Sequence, residues 1–347
     1  MKVARWYNNR DIRIEEVPTP RPGPKEMTVK VMACGICGSD VVEWYRLPRA
    51  PLVLGHEIGA QVTDVGEYAT KFKPGDRVFI MPKAPCMKCH YCVNGHYPQC
   101  SGVKERLPGG FAEYILVPEI LIENGSWLLP ENLTYDQSTF IEPLACVVRA
   151  QRLAGLKRGH TIMVLGCGMS GLLHIKLAKF NGAVVIASDV NSKRLQFARN
   201  AGADDTISVT HKVPELPVFE TGQLKCDVVM LCTSALSAVE RAWKCVDKGG
   251  AIVFFAVPDP AETVTVPIND LWTKEIRILT SYYCGPPDIK EAIHLITTGA
   301  IKTDDLVTHK LPLSEIVKGF QLVSDGKESL KVIIYPNYSG YHNNVPI

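Results

Sequence analysis

The stretch TIMVLGCGMSGLLHIKLAKFNGAVVIASD, residues 161–189, decides the fold. It begins with TIMVL, a short apolar run that predicts a buried strand and leads into a turn with Gly166, Gly168 and Gly171 in GxGxxG spacing. The residues after the turn have the pattern of a helix that ends at Gly182, and AVVIAS predicts a second strand. This order of strand, turn, helix and strand predicts a βαβ unit with a parallel sheet.

The glycine-rich turn predicts a dinucleotide site. Glycines permit a tight turn and a close approach of the backbone to a pyrophosphate, which lies at the helix N-terminus. Asp189 follows Gly171 by eighteen residues and ends the second strand, where an acid binds the ribose hydroxyls and repels a 2′-phosphate. NAD is therefore favoured, although Lys193 and Arg194 leave NADP open. The alternative is a glycine-rich turn in an unliganded α/β domain.

The chain changes character on either side of this unit. Up to about residue 120, short apolar runs between Gly and Pro turns predict an all-β module. Strands and helices alternate to about Val257, and mixed strands and amphipathic helices follow from IRILTSYY onward. The polar segment 337–347 is expected to be a tail or a partner contact.

Composition and charge exclude several classes of protein. The 347 residues suit two domains, and 46% hydrophobic with 21% charged residues excludes a largely disordered chain. A net charge of +2 argues against extensive binding to nucleic acid or to a membrane surface. Since no apolar run reaches about 18 residues and the start lacks a signal-peptide h-region, we expect a cytoplasmic protein without a membrane span.

Four of the twelve cysteines lie in one short loop, with the spacing C-x2-C-x2-C-x7-C: Cys86, Cys89, Cys92 and Cys100. Four thiolates at this spacing suit a closed, tetrahedral structural zinc site, and the metal would order a loop that has little apolar content. Disulfides are a weaker alternative without a signal peptide. The mildly basic neighbourhood disfavours a zinc module that binds nucleic acid.

A second, dispersed set of residues has the chemistry of a catalytic metal site: Cys37 in GICGSD, His56 and Glu57 in LGHE, and Glu142 in FIEPLAC. Catalytic zinc keeps one position open for water or substrate, and a thiolate, an imidazole and carboxylates provide such a set. Cys146 lies four residues after Glu142, either near the metal or packed in a helix. The remaining cysteines are expected to be buried thiols: Cys34, Cys167, Cys226, Cys232, Cys245 and Cys284.

In this order, the motifs GICGSD, GHE, the four-cysteine loop, GGFAEY, IEPLA and GCGMSG resemble the zinc-dependent medium-chain dehydrogenase/reductase family. The resemblance covers residues 1–336 and is to the sorbitol (polyol) and threonine dehydrogenase branches. It implies an α/β two-domain fold. A GroES-like, partly open β-barrel catalytic domain would span 1–148 and 285–347, and a Rossmann NAD-binding domain with a doubly wound parallel sheet would be inserted at 149–284.

The resemblance also implies metal ligands and cofactor contacts. Cys37 and His56 match ligands of a catalytic zinc, and Glu57 and Glu142 match carboxylates that bind the metal or its water. With the zinc of the cysteine loop, this gives two zinc ions per chain. A homodimer or homotetramer is implied as well. Cofactor contacts are expected at Gly166, Gly168, Ser170, Gly171, Asp189, Arg194 and Val257.

The implied reaction is the oxidation of a secondary alcohol of a polyol to a ketone, with hydride transfer to NAD. Zinc would polarise the hydroxyl, Ser39 would take up and relay its proton, and Asp40 would orient the histidine ligand. Two alternatives remain: an amino-alcohol (threonine-type) dehydrogenase, and a nucleotide-binding protein without catalytic activity.

Positions that depart from the family pattern bear on the substrate. Val42 replaces a typical histidine, which leaves the outer part of the proton relay unexplained. Glu43 occupies a position that is often aromatic, and Tyr282-Tyr283 replaces an Arg-Tyr pair. Contacts from these residues would make the pocket less cationic, so we predict a neutral or amine-bearing small polyhydroxy alcohol, such as a sugar alcohol or cyclitol, over a phosphorylated one. Alternatively, Glu43 faces solvent on a helix.

Overall fold

The computed structural model of the chain describes residues 1–102, 105–209, 218–219, 222–223, 225–256 and 258–337. The chain forms two units: Met1–Pro143 together with Cys284–Ile347, and Leu144–Tyr283, which interrupts the first. The expected cofactor contact Val257 lies outside the described residues, as does the predicted tail from residue 338 onward.

The strands are numbered in chain order: β1 Lys2–Asn8, β2 Asp11–Glu16, β3 Met27–Gly35, β4 Leu52–Val53, β5 Glu57–Val65, β6 Arg77–Ile80, β7 Tyr114–Val117, β8 Ser126–Leu128, β9 Thr161–Leu165, β10 Val184–Asp189, β11 Asp205–Ser208, β12 Val218–Phe219, β13 Gly222–Gln223, β14 Cys226–Leu231, β15 Val246–Phe254, β16 Arg277–Thr280, β17 Val307–Pro312 and β18 Lys331–Tyr335.

The α-helices are α1 Glu43–Arg46, α2 His90–Val93, α3 Glu119–Gly125, α4 Tyr135–Ser138, α5 Ile141–Ala154, α6 Met169–Phe180, α7 Ser192–Asn200, α8 Leu236–Cys245, α9 Ile268–Thr273, α10 Pro286–Thr297 and α11 Ile316–Asp325. Short 3-10 turns occupy Gly38–Val41, Leu47–Arg49, Tyr97–Gln99, Asp304–Leu306 and Leu313–Glu315. Within the described part of the chain, no helix combines the length and the apolar character needed to cross a membrane.

The first unit is built on a seven-stranded sheet in the order β17-β18-β3-β5-β6-β8, with β7 also paired to β3. A smaller sheet has the order β2-β1-β4. Strand β3 is central because its side chains are apolar on the core face, and Val29, Val31 and Ala33 are fully buried. Gly35, at the end of β3, pairs with Glu57, at the start of β5. This register brings the GICGSD and GHE motifs side by side.

The second unit contains a six-stranded sheet in the order β11-β10-β9-β14-β15-β16, in which every neighbouring pair is parallel. Counted from β9, this is the order 3-2-1-4-5-6 of a doubly wound dinucleotide-binding fold. The predicted Rossmann sheet is therefore confirmed. Ligands of such sheets bind at the carboxyl ends of the strands where the order reverses, and here that point lies between β9 and β14.

The core of the second unit is mostly apolar but contains a fully buried histidine. Met163, Val229 and Ile252 are fully buried in the sheet. His174, in α6, is also fully buried, and Gln151 Nε2 lies 3.3 Å from its Nδ1 and donates to its carbonyl oxygen at 2.8 Å. Burial lowers the pKa of His174 to about 3, so the imidazole is neutral at physiological pH.

Candidate functional site

Cys37, His56 and Glu57 form a cluster in which the ligand atoms all lie within 4.8 Å of one another. The cluster exists because β3 and β5 are neighbours: Cys37 begins the turn after β3, and His56 and Glu57 stand at the start of β5. A thiol, an imidazole and a carboxylate at this separation fit a zinc ion, which accepts sulfur, nitrogen and oxygen ligands. The sequence prediction that these three residues lie together agrees with this geometry.

Asp40 contacts two members of this cluster, Cys37 and His56. It is fully buried, and its Oδ2 accepts a hydrogen bond from Cys37 N at 3.2 Å. Its Oδ1 lies 3.3 Å from His56 Nδ1, which leaves the other ring nitrogen of His56 for a metal. Burial raises the pKa of Asp40, but nearby His56 and Arg46 outweigh this effect, and the pKa is lowered. Asp40 is thus an ionised acceptor, as an orienting acid must be.

Glu57 is paired with a lysine that the sequence analysis did not identify. Lys331 Nζ lies 2.5 Å from Glu57 Oε2, and both side chains are almost completely buried. The ammonium also lies 4.9 Å from the centroid of the Phe140 ring. Glu57 is therefore held by β18 while it offers a carboxylate oxygen to the cluster with Cys37 and His56. A lysine within the apolar strand KVIIY was the signal that could have revealed this partner.

Ser39 and Arg46 complete the turn beside Cys37. Ser39 Oγ lies 3.4 Å from Cys37 Sγ and accepts a hydrogen bond from Arg46 Nη2 at 2.9 Å. The same Nη2 donates to Asp40 Oδ1 at 3.0 Å. Arg46 is buried at the end of α1, and no motif in the sequence had marked it.

Glu142 has a different set of neighbours from the one expected. It is buried in the first turn of α5, and its carboxylate lies within 4.8 Å of the Cys284 sulfur. Among the described residues it does not join the cluster of Cys37, His56 and Glu57. Cys146 is one helical turn further along α5. The role of Glu142 beside the metal therefore stays a prediction.

The expected substrate contacts differ in what the structure shows of them. Glu43 is exposed, and its Oε1 accepts a hydrogen bond from Asn9 N at 2.8 Å. This carboxylate holds the turn between β1 and β2, so the geometry favours the solvent-facing alternative for Glu43. Tyr282 is 59% exposed, and Tyr283 has a left-handed backbone with φ of 61°. Their rings lie 6.4 Å apart.

The four cysteines of the loop come together as a second cluster, with their sulfurs all within 4.8 Å of one another: Cys86, Cys89, Cys92 and Cys100. All four are free thiols. Backbone N–H groups of Cys86 and Gly102 donate to Cys100 Sγ at 3.2 and 3.3 Å. A hydrogen bond from the backbone of Cys92 is the main reason that the pKa of Cys89 falls to about 5. The donor set fits a closed tetrahedral zinc site.

The glycine-rich turn of the second unit forms a cradle for a phosphate. Gly166 has a φ of +98°, and a Cβ on it would lie 3.1 Å from the backbone of Cys232. A Cβ on Gly171 would collide with Gly166 O. A Cβ on Gly168, in contrast, would meet nothing within 4 Å, and Gly168 begins α6 without a side-chain cap. The N–H groups at this helix start are therefore open to a ligand, which fits a pyrophosphate.

Asp189 lies at the end of β10, the position of the ribose-binding acid in a dinucleotide site. Its Oδ2 accepts a hydrogen bond from Cys167 N at 2.7 Å, and its Oδ1 accepts one from Asn191 N at 2.8 Å. Arg194 Nη1 lies 3.9 Å from Asp189 Oδ2, so the arginine is next to the acid and is not an isolated cation. Ser170 lies in the first turn of α6, beside the open helix start.

Comparison with known proteins identifies the chain. Residues 23–124 match the family model of the alcohol dehydrogenase GroES-like domain, and residues 171–298 match that of the zinc-binding dehydrogenases. Sorbitol dehydrogenase of Gallus gallus is 31% identical over 93% of both chains. The chain belongs to the zinc-dependent medium-chain dehydrogenase/reductase family. This dehydrogenase also has the fold that the family implies, with a GroES-like part and a Rossmann sheet.

Solved structures resemble this dehydrogenase along nearly its whole length. A Bacillus subtilis 2R,3R-butanediol dehydrogenase is 29% identical with a TM-score of 0.84, and the match covers 97% of this chain and 99% of the other. A protein from Sinorhizobium meliloti 1021, assigned as a zinc-binding dehydrogenase and bound to NADP, is 30% identical with a TM-score of 0.85 over 96% and 99%. This dehydrogenase is thus an alcohol oxidoreductase that uses zinc and a nicotinamide cofactor.

Proposed function

We propose that the enzyme oxidises a secondary alcohol of a neutral small polyol to a ketone and reduces NAD. The observation that carries this proposal is the cluster of Cys37, His56 and Glu57, with ligand atoms within 4.8 Å, beside a serine hydroxyl. This donor set is incomplete for a closed structural site, and it leaves room for an alcohol oxygen. The catalytic residues belong to the first unit, and NAD binding to the second.

The enzyme would hold two zinc ions, one at the catalytic cluster and one at the four-cysteine loop. When bound, the catalytic zinc supplies Lewis acidity for the alcohol hydroxyl, and the nicotinamide ring accepts the hydride. Cys37, His56 and Glu57 would hold the metal, and Glu142 would bind the water on the metal. Asp40 would keep His56 in the orientation that ligation needs. Ser39 contacts the hydroxyl of the substrate.

Cofactor choice follows from Asp189. Its carboxylate would accept hydrogen bonds from the adenosine ribose, and its charge opposes a 2′-phosphate. Arg194 supports the same conclusion, because it already lies 3.9 Å from that carboxylate. We expect kcat/KM to be at least about tenfold higher with NAD than with NADP, which corresponds to about 1.4 kcal/mol. Equal values for the two cofactors would contradict the preference.

The substrate class rests on the relatives and on one departure from the family pattern. The names of two relatives, sorbitol dehydrogenase and butanediol dehydrogenase, denote activity on small neutral diols and polyols. Tyr282-Tyr283 in place of an Arg-Tyr pair removes a cation that a phosphate would need. With its carboxylate engaged by Asn9, Glu43 does not add to this support.

A spectrophotometric screen of NAD reduction tests the substrate class. The panel contains sugar alcohols, inositols, vicinal diols, amino alcohols such as threonine, and the phosphate esters of the polyols. We expect the fastest turnover among neutral polyols or diols. Faster turnover of threonine would establish the amino-alcohol alternative, and faster turnover of phosphate esters would contradict the proposed substrate class. A failure of every compound to reduce NAD would favour a binding protein without catalytic activity.

We further propose that a second copy of the chain docks on the second unit, as part of a homodimer or homotetramer. Among the described residues, β16 ends the six-stranded sheet, and its Ile278 lines the same surface cavity as Ile268 and Trp272 of α9. Ile268 and Trp272 on α9 are 71% and 79% exposed, and Ile278 on β16 is 41% exposed. An apolar strip at a sheet edge is a surface that a copy of the same edge can cover.

A further inference from the structure

Arg46 is a buried cation at the turn between Cys37 and Asp40. Its guanidinium makes three hydrogen bonds there: Nε to Ser39 O at 2.9 Å, Nη2 to Ser39 Oγ at 2.9 Å and Nη2 to Asp40 Oδ1 at 3.0 Å. The side chain is only 11% exposed. The ring of Tyr45 covers it, with Cζ 4.9 Å from the centroid. Arg46 is therefore fixed on several sides and is not a solvated surface charge.

The chemistry of a guanidinium determines how the Ser39 hydroxyl is used. Arginine has N–H donors but no acceptor, and it stays protonated in proteins. Ser39 Oγ must therefore accept from Arg46, and its own hydrogen must point elsewhere. The acceptor on the other side of the hydroxyl is Cys37 Sγ, at 3.4 Å. The hydrogen of Ser39 thus faces the side of the turn that carries the candidate metal ligands.

We propose that Arg46 is a positioning residue that fixes the Ser39 hydroxyl as a hydrogen-bond donor toward the metal-ligand side of the site. This inference rests on the proposed function, because the oxygen of the bound alcohol would replace Cys37 Sγ as the acceptor of the hydrogen of Ser39. A proton on Ser39 cannot pass to Arg46, and the side chain of Val42 offers no acceptor. Ser39 then stabilises the substrate oxygen and is not the start of an outward relay through either residue.

A competing role for Arg46 runs through Asp40. Arg46 donates to the same Oδ1 that lies 3.3 Å from His56 Nδ1, so its removal could alter the histidine ligand and hence metal binding. The two roles are separable by a double-mutant cycle with Ser39. If Arg46 acts through the hydroxyl, its effect disappears once the hydroxyl is gone; if it acts through Asp40, the effect persists.

The first measurement uses the enzyme loaded with Co²⁺, whose sulfur-to-metal absorption responds to hydrogen bonds at the ligating sulfur. Subtracting the spectrum of the Cys37→Ser variant isolates the Cys37 band, because both proteins share the four-cysteine loop. Ser39→Ala and Arg46→Met are expected to shift this band in the same direction. The double variant is expected to shift it no further than Ser39→Ala does.

Arg49→Met is the matched control for this cycle. Arg49 is exposed and stacks on the same Tyr45 ring, with Cζ 5.0 Å from the centroid, and its Nη2 donates to Tyr45 O at 3.3 Å. Its replacement is expected to leave the cobalt band unchanged. Arg46→Lys keeps the charge but not the forked geometry, so a smaller shift in the same direction is expected. This variant also serves if Arg46→Met does not fold.

The second measurement is steady-state kinetics with the alcohol that the screen finds to be oxidised fastest. Ser39→Ala and Arg46→Met are each expected to lower kcat by about tenfold to a hundredfold, the range for loss of one hydrogen bond to a charged group. KM is expected to change much less, since the bond strengthens as charge develops on the oxygen. The double variant is expected to match Ser39→Ala, and Arg46→Lys to recover part of the loss.

Three results would overturn the role of Arg46. They are an unshifted cobalt band in Arg46→Met, a further shift or further loss of kcat when Arg46→Met is added to Ser39→Ala, and loss of the band in Arg46→Met alone. The last result would place its action at Asp40 and His56. If the wild-type enzyme shows no band that depends on Cys37, the metal site of the proposed function fails, and the inference about Arg46 fails with it.

Discussion

At the scale of single residues, two buried charges next to the candidate metal ligands decide how those ligands are presented. Lys331 engages one oxygen of Glu57, and Arg46 joins Ser39 to Asp40. Neither partner follows from a motif. Lys331 lies 274 residues from Glu57 in sequence, so only the pairing of β18 and β3 brings it into place. Arg46 is seven residues from Ser39, but its contact depends on how α1 folds back.

The pairing of Lys331 predicts a large effect on stability. Lys331→Met leaves the Glu57 carboxylate buried without its partner, and we expect the free energy of unfolding to fall by about 3–5 kcal/mol. Urea denaturation of the zinc-loaded enzyme measures this change. Lys310→Met is the matched control, because Lys310 pairs with Asp136 at 2.8 Å with side chains 41% and 22% exposed, and for this pair we expect a loss of less than about 1 kcal/mol. Equal losses in the two variants would show that the buried Lys331 pair stabilises the fold no more than the Lys310 pair does.

The buried imidazole of His174 predicts how stability depends on pH. Its pKa is lowered by burial to about 3 in the folded enzyme, below the value of about 6.5 for an unfolded chain. The unfolded state therefore binds more protons between these values, so the contribution of His174 to stability is complete above pH 6.5 and is lost as the pH falls toward 3.

The measurement is the slope of the unfolding free energy between pH 6.5 and pH 5. In His174→Leu we expect this slope to be shallower, by up to about 1.4 kcal/mol per pH unit. His294→Gln, at an exposed position of α10, is the control for removal of a surface imidazole. An unchanged slope in His174→Leu would mean that the imidazole is not held neutral by burial.

At the scale of elements, the four-cysteine loop and the βαβ unit could be predicted because each is determined by residues that are close together in the sequence. The glycine turn, the helix α6 and the strand β10 lie within residues 161–189, and their order alone specifies the local fold. The placement of Glu142 could not be predicted in this way. Its neighbour Cys284 comes from a distant segment, and an apolar context had suggested only a buried thiol there.

The loop itself can be tested through its metal. Cys89→Ser removes one of four ligands, and we expect the zinc content to fall from two to one per chain and the segment 86–100 to become sensitive to proteolysis. Elemental analysis and limited trypsin digestion measure the two effects. Cys245→Ala, a buried cysteine in α8, is expected to keep both metal ions and resistance to the protease. Loss of zinc from neither variant would refute the structural site.

At the scale of the whole molecule, the exposed strip on α9 and β16 predicts how chains assemble. Trp272, with 79% of its surface exposed, is the largest apolar side chain of this strip. We expect Trp272→Asp to yield a smaller species, because a charge cannot be buried in an apolar interface without a partner. Light scattering during size-exclusion chromatography measures the mass. Tyr68→Asp, at a position of the first unit that is 63% exposed, is the control and is expected to leave the mass unchanged.

The insertion of one unit into the other also sets an order of events during synthesis. In the sheet of the first unit, β18 lies between β17 and β3, and both β17 and β18 follow the inserted unit in the chain. When the ribosome has made the first 283 residues, the second unit is complete, but the end of β3 at Cys34 and Gly35 still lacks its neighbour β18. The nascent chain can therefore finish its nucleotide-binding part first. Glu57 receives its lysine only near the end of translation, so maturation of the catalytic metal site is a late step.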